Sequence, residues 1–504
     1  MKRILLFGAG KSATSLIQYL LKNAEAEKWT VTVVDADISL VQSKLGVSLH
    51  GQAFSFDVMN EEIRKRHIKN CDIVISLLPP TLHLVVAKDC IEFKKNLLTA
   101  SYVDAEMKRL ENLIMENDLL FLCEMGLDPG IDHMSAKKII DEIHSDGGNI
   151  TSFLSHCGGL VAPESDDNPW RYKISWNPRN VVLAGKAGAV FQENGSKKHI
   201  AYTELFKEKR FVIVPHSDSL CWYPNRDSTG YMSIYDLHDC PTFIRTTLRH
   251  PDFIYGWQNL IDLKLTDENP IYETNGLSLK DFFKQHMELH GFEEWLQQRM
   301  QEQLSASKKI LKNLMNIVDM ESAQDEKDQS HIEEFMVVND KGNLQEVDVE
   351  DLKINVAAMV ADKIHETKLT LKQLFYLGMD DDTTLINKGK CSAAEVLQFI
   401  LETKLPLSPA DKDMVVMVHE IEYTKNDVNY LKRSSLVLTG MDAQHTAMAK
   451  TVGLPLGIAA KLVLNGTIQS KGLCIPVIAN IYEPVLDALT SEGIVFIEED
   501  ILLS

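Results

Sequence analysis

The side chains best placed to do chemistry lie in the loop Cys123-Glu-Met-Gly-Leu-Asp-Pro-Gly-Ile-Asp-His133. This loop follows an apolar run over 119–122 that predicts a strand, and it precedes a helical pattern over 134–143. Glycines and a proline bend such a loop, and in an open α/β sheet it lies at the carboxyl end of the strands, where ligands bind. We therefore predict a functional carboxylate at Asp128. We interpret Asp132 as the N-cap of the following helix, a structural role that Asp commonly fills.

A glycine turn near the start of the sequence predicts a bound dinucleotide. Residues 3–8 form an apolar run of strand length that leads into Gly8-Ala-Gly-Lys-Ser-Ala13, a G-x-G-x-x-A sequence followed by helical spacing. The N-terminus of that helix can hold a pyrophosphate, which the glycines allow to approach the backbone. The predicted cofactor contacts lie in this turn and after the next strands: Gly8, Gly10, Lys11, Ser12, Ala13, Asp57, Val58 and Ser76.

Asp35 bears on which dinucleotide binds. It ends the second predicted strand, 29–34, about 20 residues after the glycine turn. A carboxylate at this position accepts hydrogen bonds from the ribose hydroxyls and repels a 2′-phosphate, and no Arg follows within 36–40. The sequence therefore favours NAD over NADP, and an aspartate that only shapes a turn is the structural alternative.

Strands and helices alternate through the first domain. Six apolar runs of strand length are separated by helical patterns, at 3–8, 29–34, 54–58, 72–80, 96–100 and 119–122. This alternation predicts a Rossmann-type, doubly wound parallel sheet with right-handed crossovers. Tyr102 follows the fifth run and Asp128 the sixth. Because the carboxyl ends of parallel strands meet at one edge, we predict that both lie where the nicotinamide binds.

The rest of the chain predicts two further parts of an α/β protein. Residues 127–256, with about 410–440, carry broken strands rich in Gly and Pro and predict a mixed α/β substrate domain. Residues 257–409 are mostly helical and include an acidic insertion at 318–351. Residues from about 440 to 504 are expected to pack back against the first domain, 1–126.

Composition narrows the class of protein. The 504 residues are 45% hydrophobic and carry a formal charge of −20, which argues against nucleic-acid and anionic-membrane partners. The eight cysteines contain no C-x-x-C, so neither a disulfide framework nor a zinc site is indicated, and a reducing cytoplasm is expected. No apolar run reaches 18 residues, and no signal peptide or transmembrane helix is predicted.

Three arginines are candidates for holding an anionic substrate within this acidic protein. Arg226 falls in a predicted turn, and Arg245 and Arg249 lie on a strand-like segment. Arg binds a carboxylate through two parallel hydrogen bonds, so the group predicts a carboxylate clamp. Surface arginines with no partner are the structural alternative.

Several separated motifs together resemble one family. They are Ser101-Tyr-Val103, Gly126-Leu-Asp-Pro-Gly-Ile-Asp-His133, Cys157-Gly-Gly159 with Pro163-Glu164, Tyr223-Pro-Asn-Arg-Asp-Ser228, Thr247-Leu-Arg249 and Ala447-Met-Ala-Lys-Thr-Val-Gly-Leu-Pro455. In these motifs the chain resembles the glutamate-forming branch of the saccharopine dehydrogenase family, also called saccharopine reductase, from residue 1 to about 260 and from about 410 onward. The resemblance implies interconversion of saccharopine, NAD(P)+ and water with L-glutamate, 2-aminoadipate 6-semialdehyde and NAD(P)H. It also implies a Rossmann domain, a dimer-forming mixed α/β domain, a small helical domain and a homodimer.

The resemblance also implies roles for individual residues. Tyr102, Asp128 and Cys157 match positions that act in catalysis. The positions that match substrate contacts are Ser101, Tyr102, Asp128, Arg226, Arg245, Thr247 and Arg249, and Leu127 and Ser175 are added to the predicted cofactor contacts. A nucleophilic role for Cys157 is disfavoured, because the neighbouring His156 would point to the other side of a strand. The chain departs from the family at Asp35 and in a longer segment over about 290–400.

Two alternatives remain at this point. A carboxynorspermidine or carboxyspermidine dehydrogenase of the same family would act on a substrate with one carboxylate and several ammonium groups, and would need acidic pocket residues where this chain has arginines. A non-catalytic dinucleotide sensor or scaffold would bind the cofactor without turning over any substrate.

Overall fold

The first sheet is parallel throughout. The computed structural model describes residues 1–214, 219–299, 301, 305, 334–338, 344–348, 365, 366 and 368–503. The strands of the first sheet are β1 (Lys2–Phe7), β2 (Trp29–Asp35), β3 (Gly51–Ser55), β4 (Ile73–Ser76), β5 (Asn96–Thr99), β6 (Leu120–Leu122) and β19 (Gly472–Cys474). Their order is β19-β6-β5-β4-β1-β2-β3, with every neighbouring pair parallel.

Helices cover both faces of this sheet. The α-helices with defined bounds in the described part of the chain are α1 (Thr14–Asn23), α2 (Ile38–Leu45), α3 (Glu61–Lys69), α4 (Pro80–Glu92), α5 (Ala105–Lys108), α6 (Glu111–Glu116), α7 (Ile131–Ser145), α8 (Pro178–Val182), α9 (Pro251–Asp262), α10 (Leu279–Leu289), α11 (Ala393–Lys404), α12 (Ala447–Leu464) and α13 (Ala479–Ser491). Residues 292–299 and 368–376 are also helical. Short 3-10 helices span Lys11–Ala13, Pro163–Ser165, Tyr202–Glu204 and Thr229–Tyr231. Successive residues of β1 enter opposite cores, Ile4 and Leu6 on one face and Leu5 and Phe7 on the other, as expected of a strand buried on both sides.

The helix α12 is the most apolar of the long helices and packs against α1. A Cβ added to Gly453 of α12 would lie 2.8 Å from the backbone nitrogen of Leu16, so the two helix backbones approach closely there. By length and composition α12 could cross a membrane, yet 67% of it is buried inside the protein, which is typical of a core helix.

The second sheet is mixed. It consists of β7 (Asn149–Val161), β8 (Ala189–Glu193), β9 (Ser196–Ile200), β10 (Arg210–Val212), β11 (Leu220–Pro224), β12 (Thr242–Arg249), β17 (Asp413–Lys425), β18 (Val428–Thr439) and β20 (Ile497–Leu502). The main path runs β10-β11-β12-β7-β17-β18-β20, and β8 joins β12 to β9. The central strands β12 and β7 are parallel and pair Thr247 with Cys157. This register places two predicted site residues on neighbouring strands.

The described residues form two compact units. One contains both sheets and spans 1–167, 171–251 and 405–503, and the other spans 168–170 and the described part of 252–404. The second unit contains the two-stranded sheet of β13 (Pro270–Glu273) and β16 (Lys390–Ser392). Of the predicted acidic insertion, the structure describes the antiparallel hairpin of β14 (Glu334–Val338) and β15 (Leu344–Asp348), and the rest of 318–351 lies outside the described residues.

The predicted fold class is confirmed: a parallel Rossmann-type sheet, a mixed sheet and helices. One expectation about the last residues is wrong. We expected everything from about 440 to pack on the first domain, and α12 and β19 do so. The strand β20, however, pairs antiparallel with β18 in the mixed sheet. The sequence of β20 is half acidic and the strand is mostly exposed, so its pattern did not indicate which of the two sheets the strand would join.

Candidate active site

Tyr102 and Asp128 meet, as their positions after neighbouring strands predicted. Tyr102 follows β5, and Asp128 lies between β6 and α7, so both stand at the carboxyl edge of the parallel sheet. The Tyr102 hydroxyl donates a hydrogen bond of 2.9 Å to Oδ1 of Asp128. The loop that carries Asp128 is closed by backbone hydrogen bonds between Gly126 and Pro129 and between Ile131 and Gly126, so the carboxylate is held by a rigid support.

Arg245 joins this pair to a second carboxylate. Its Nη2 atom donates to Oδ1 of Asp128 at 2.8 Å and to Oδ2 of Asp132 at 2.7 Å, and it lies 3.2 Å from the Tyr102 hydroxyl. The whole Arg245 residue is 3% exposed. One guanidinium therefore neutralises part of the charge of two carboxylates that would otherwise repel each other in a dry site.

Burial sets the protonation of this cluster. Burial, and then the charge of Asp132, raise the pKa of Asp128, although Arg245 opposes them. Burial acts on Asp132 in the same direction, but His133, Arg245 and the Gly130 N–H together hold its pKa below the usual range. The Tyr102 pKa is raised well above its ordinary value by burial. Of the two carboxyl groups, Asp128 is therefore the one that takes up a proton more readily, while Asp132 favours its ionised form and Tyr102 its protonated form.

Arg245 was predicted to hold a substrate carboxylate. Its Nη2 atom binds Asp128 and Asp132, and a contact of the guanidinium with substrate stays a prediction. Asp132 was predicted to be an N-cap, and this is wrong, because Gly130 is the N-cap of α7. The Asp132 carboxylate instead accepts the Gly130 N–H at 2.6 Å and the Arg245 guanidinium. A short sequence pattern could not show that a strand over 100 residues away supplies this cation.

Arg226 is the most exposed of the three candidate arginines. It is exposed, in a left-handed backbone conformation with φ of 53°, and its guanidinium lies 5.1 Å from the centre of the Tyr102 ring. Among the described residues it has no carboxylate partner. Arg249 is 3% exposed, donates to the Leu248 carbonyl at 2.7 Å and lies over the Tyr172 ring. It is therefore shielded from open solvent.

Cys157 lies within the centre of the mixed sheet. It is 5% exposed and is paired with Thr247 on one side and Met417 on the other. Burial raises the pKa of the thiol well above its usual range, and the charges of Asp128 and Asp132 raise it further. A thiol that stays protonated is a poor nucleophile. Thr247 is half-buried and is paired with Tyr223 where β12 runs antiparallel to β11.

A buried network behind the pair was not predicted from the sequence. Nε2 of His133 lies 2.8 Å from Oε2 of Glu124, which also accepts a 3.0 Å hydrogen bond from the Tyr231 hydroxyl. The other ring nitrogen of His133 contacts the Tyr235 hydroxyl. The Tyr231 ring in turn lies 4.4 Å from the Arg245 guanidinium. The one sequence signal was Glu124, a charged residue inside an otherwise apolar stretch.

The glycine turn fits a dinucleotide. Gly8 has φ of 98°, and a Cβ there would lie 2.8 Å from the Leu77 carbonyl oxygen, so both conformation and packing require glycine. Gly10 differs, because no protein atom lies within 4 Å of a Cβ added to it. Open space beside the second glycine, next to a helix N-terminus, is what close approach of a pyrophosphate needs.

Asp35 is engaged by the turn itself. Its Oδ2 atom accepts the Ala9 N–H at 2.7 Å, and Oδ1 accepts the Asp37 N–H at 3.2 Å. Lys44, which the sequence patterns did not single out, donates from Nζ to the Gly10 carbonyl. Burial lowers the pKa of Lys44 to about 8, although Asp35 acts in the opposite direction. A cation thus lies between the glycine turn and the end of β2.

The other predicted cofactor residues are placed less uniformly. Lys11 and Ser12 follow Gly10 within the glycine turn. Nζ of Lys11 donates to the carbonyl of Ile174, next to the buried Ser175. Three side chains point into the protein, those of Ala13, Val58 and Leu127. Asp57 is exposed and accepts the Met59 N–H at 2.9 Å. Ser76 is 0% exposed, and its hydroxyl contacts His83 inside the protein.

Comparisons with known proteins agree with these features. Residues 4–120 match the family model of the saccharopine dehydrogenase NADP binding domain, and residues 126–494 match that of the saccharopine dehydrogenase C-terminal domain. The chain is 30% identical to saccharopine dehydrogenase (NADP(+), L-glutamate-forming) of Schizosaccharomyces pombe, over 100% of this chain and 99% of that protein. It is 31% identical to mitochondrial alpha-aminoadipic semialdehyde synthase of Bos taurus, over 98% of this chain and 47% of that protein. It is also similar to the structure of apo saccharopine dehydrogenase (L-Glu forming) from Saccharomyces cerevisiae, with a TM-score of 0.76, 28% identity and coverage of 99% and 100%.

Proposed function

The chain belongs to the saccharopine dehydrogenase family, and from this premise we propose that it interconverts saccharopine and water with L-glutamate and 2-aminoadipate 6-semialdehyde. It is an oxidoreductase that uses a nicotinamide dinucleotide. The observation that carries the proposal is the hydrogen-bonded pair of Tyr102 and Asp128 at the carboxyl edge of a dinucleotide-type sheet, with Arg226 exposed beside it.

Asp128 is the proton acceptor in the proposed reaction. Its Oδ1 atom is held by Tyr102 and Arg245, whereas Oδ2 accepts no hydrogen bond from a described residue and is open to the substrate amine. The bound cofactor supplies the hydride acceptor. Asp128 takes a proton from the substrate ammonium, and the freed lone pair expels hydride from the adjoining lysine-side carbon, which leaves an iminium.

The same carboxyl group serves the hydrolytic half of the reaction. Asp128 first releases to solvent the proton that it took from the ammonium. Water then adds to the iminium carbon and passes a proton to the Asp128 carboxylate, which hands this proton to the nitrogen. The hydroxyl proton follows the same route to the leaving nitrogen as the carbon–nitrogen bond breaks, which gives L-glutamate and the aldehyde. Tyr102, kept protonated by burial, fixes the orientation of Asp128 throughout.

The charge of the site favours saccharopine over a polyamine-derived substrate. Saccharopine carries three carboxylates, and the exposed Arg226 guanidinium lies beside Tyr102 without a carboxylate partner among the described residues. A substrate with several ammonium groups would instead need unpaired carboxylates. Asp132 does not meet that need, because it is buried against Arg245.

For the cofactor we propose NADP in preference to NAD. The relatives from both yeasts are named for NADP(+), and Lys44 provides a cation near the end of β2. Asp35, which had favoured NAD, directs both carboxylate oxygens to backbone N–H groups, which reduces its capacity to hold a ribose.

One assay separates the candidates. Purified protein is supplied with saccharopine and either NADP or NAD, and with carboxyspermidine and either cofactor, and NAD(P)H formation is followed by absorbance. We expect reduction with saccharopine, faster at low NADP than at low NAD. Turnover of carboxyspermidine alone would overturn the proposal, and binding of NADPH without turnover of either substrate would favour the sensor.

Asp128→Asn tests the proposed acid–base role. It should lower kcat by about 100-fold or more. The matched control is Asp104→Asn, in the same loop as Tyr102. Asp104 caps α5 by accepting the Met107 N–H, a role that Asn fills equally well, so its kcat should be unchanged. Equal kcat values for the two variants would contradict the assignment.

We also propose that the protein is a homodimer, as expected from its family resemblance. Light scattering on a sizing column would give twice the chain mass of 56.9 kDa. A peak at the monomer mass at micromolar concentration would contradict this.

A further inference from the structure

A buried histidine links the cofactor side of the site to the substrate side. His83 lies in the first turn of α4 and is 5% exposed. Its Nδ1 atom is 2.9 Å from the Ser76 hydroxyl at the end of β4, and its Nε2 atom is 2.8 Å from the Ser101 hydroxyl, next to Tyr102. The acid–base steps proposed above give this residue no role.

The His83 ring is neutral, so it carries a proton on only one of its two nitrogens. Burial lowers the pKa of His83 to about 4, with Asp104 acting in the opposite direction. A neutral imidazole has one nitrogen that donates and one that accepts. One of the two neighbouring hydroxyl groups must consequently donate to the ring, and the other must accept from it.

Ser76 decides that direction. It is 0% exposed, and within the described part of the chain its hydroxyl has the Nδ1 atom of His83 as its one hydrogen-bond partner. A buried hydroxyl that donated to nothing would lose the free energy of that hydrogen bond, so Ser76 donates to Nδ1. The proton of the ring is then on Nε2, which donates to Ser101 at 2.8 Å. Thr99, at 3.3 Å from Nε2, is the longer contact and shares this proton weakly.

We propose that His83 is a positioning residue that holds the Ser101 hydroxyl as a donor directed at a substrate carboxylate. Ser101 is half-buried, and once it accepts from Nε2 its own hydrogen is free to point out of the network. This inference rests on the proposed function, because saccharopine provides the carboxylates. Ser76 then affects substrate binding although its side chain does not reach the substrate.

The tautomer can be measured without turnover. The 15N chemical shifts of histidine ring nitrogens distinguish protonated from unprotonated positions, and the His83 signals are those lost in His83→Gln. We expect the proton on Nε2 in the wild-type protein and its redistribution in Ser76→Ala. A proton on Nδ1 in the wild type would overturn the inference whether or not the protein acts on saccharopine.

Kinetics test the consequence for the substrate. His83→Asn removes the donor near Ser101 and should raise the KM for saccharopine about tenfold, with the Kd of NADPH unchanged. His83→Gln places an amide N–H near the Nε2 position and should restore most of the loss. Adding Ser76→Ala to Ser101→Ala should raise the KM no further.

Equal effects of His83→Asn and His83→Gln, or a parallel loss of NADPH affinity, would show that His83 only supports the fold. Absence of saccharopine turnover in the wild type would refute the proposed function instead.

Discussion

Replacement of Arg245 by Gln should destabilise the protein strongly and in a pH-dependent way. The guanidinium is 3% exposed and serves Asp128 and Asp132 at 2.8 and 2.7 Å. Removing one partner of a buried ion pair typically costs about 3–5 kcal/mol, because the remaining charge stays buried without compensation. We expect a loss in this range at pH 7.5. Arg3 provides the control. It lies 3.9 Å from Asp72, and the two side chains are 54% and 33% exposed. Arg3→Gln should lower the free energy of unfolding by less than about 1 kcal/mol.

The pH dependence identifies the cause. Arg245 lowers the pKa of both Asp128 and Asp132, so in Arg245→Gln both folded-state values rise. A carboxyl group whose folded-state pKa is raised destabilises the fold above its unfolded pKa, and the penalty disappears as the pH falls towards the ordinary value of about 4. Urea unfolding followed by circular dichroism at pH 7.5 and 5.5 should show a smaller deficit at pH 5.5. An equal deficit at both values would mean that lost packing, and not uncompensated charge, explains the instability.

Three further changes test the site. Lys44→Met should raise the Kd of NADP at least tenfold and the Kd of NAD much less. The control Lys69→Met, at the exposed end of α3, should alter neither Kd. In the wild-type protein, the affinity for NADP should weaken as the pH rises through about 8, where Lys44 loses its proton. Equal losses for the two cofactors would refute the 2′-phosphate contact. Gly10→Ala should leave the Tm unchanged, because its Cβ meets no protein atom, yet weaken cofactor binding measured by fluorescence titration; unchanged affinity would contradict the pyrophosphate position. Cys157→Ala should keep kcat within about tenfold, since a protonated thiol is no nucleophile, and a loss of 1,000-fold would overturn that reasoning.

The sequence was most informative where local pattern and topology coincide. The meeting of Tyr102 and Asp128 could be predicted from the order of the strands alone, because strand ends in a parallel sheet share an edge. The role of Arg245 could not, since both of its carboxylate partners lie over 100 residues away and nothing in its own strand distinguishes a clamp from a buried counter-ion. His83 was equally hidden, because a histidine among apolar helix residues is typical of a core, and its two serine partners lie on other elements.

The NAD preference shows a related limit. A carboxylate at the end of the second strand was interpreted from its position alone. In the structure Asp35 binds the N–H of Ala9, within the glycine turn, and Lys44 approaches from the far end of α2. Side-chain direction and a neighbour nine residues away decide what the position can bind.

The final strands of the two sheets have a consequence for synthesis. β19 completes one edge of the parallel sheet and β20 one edge of the mixed sheet, and both come from residues 472–502. As the chain leaves the ribosome, neither sheet can close until these residues emerge, although β1 has been available for more than 460 residues. Late, distant pairings slow folding. The β6 edge, which β19 completes, stays open from residue 122 to residue 472 of synthesis and is exposed to chaperones during that time, whereas the β18 edge waits only from residue 439 to residue 497.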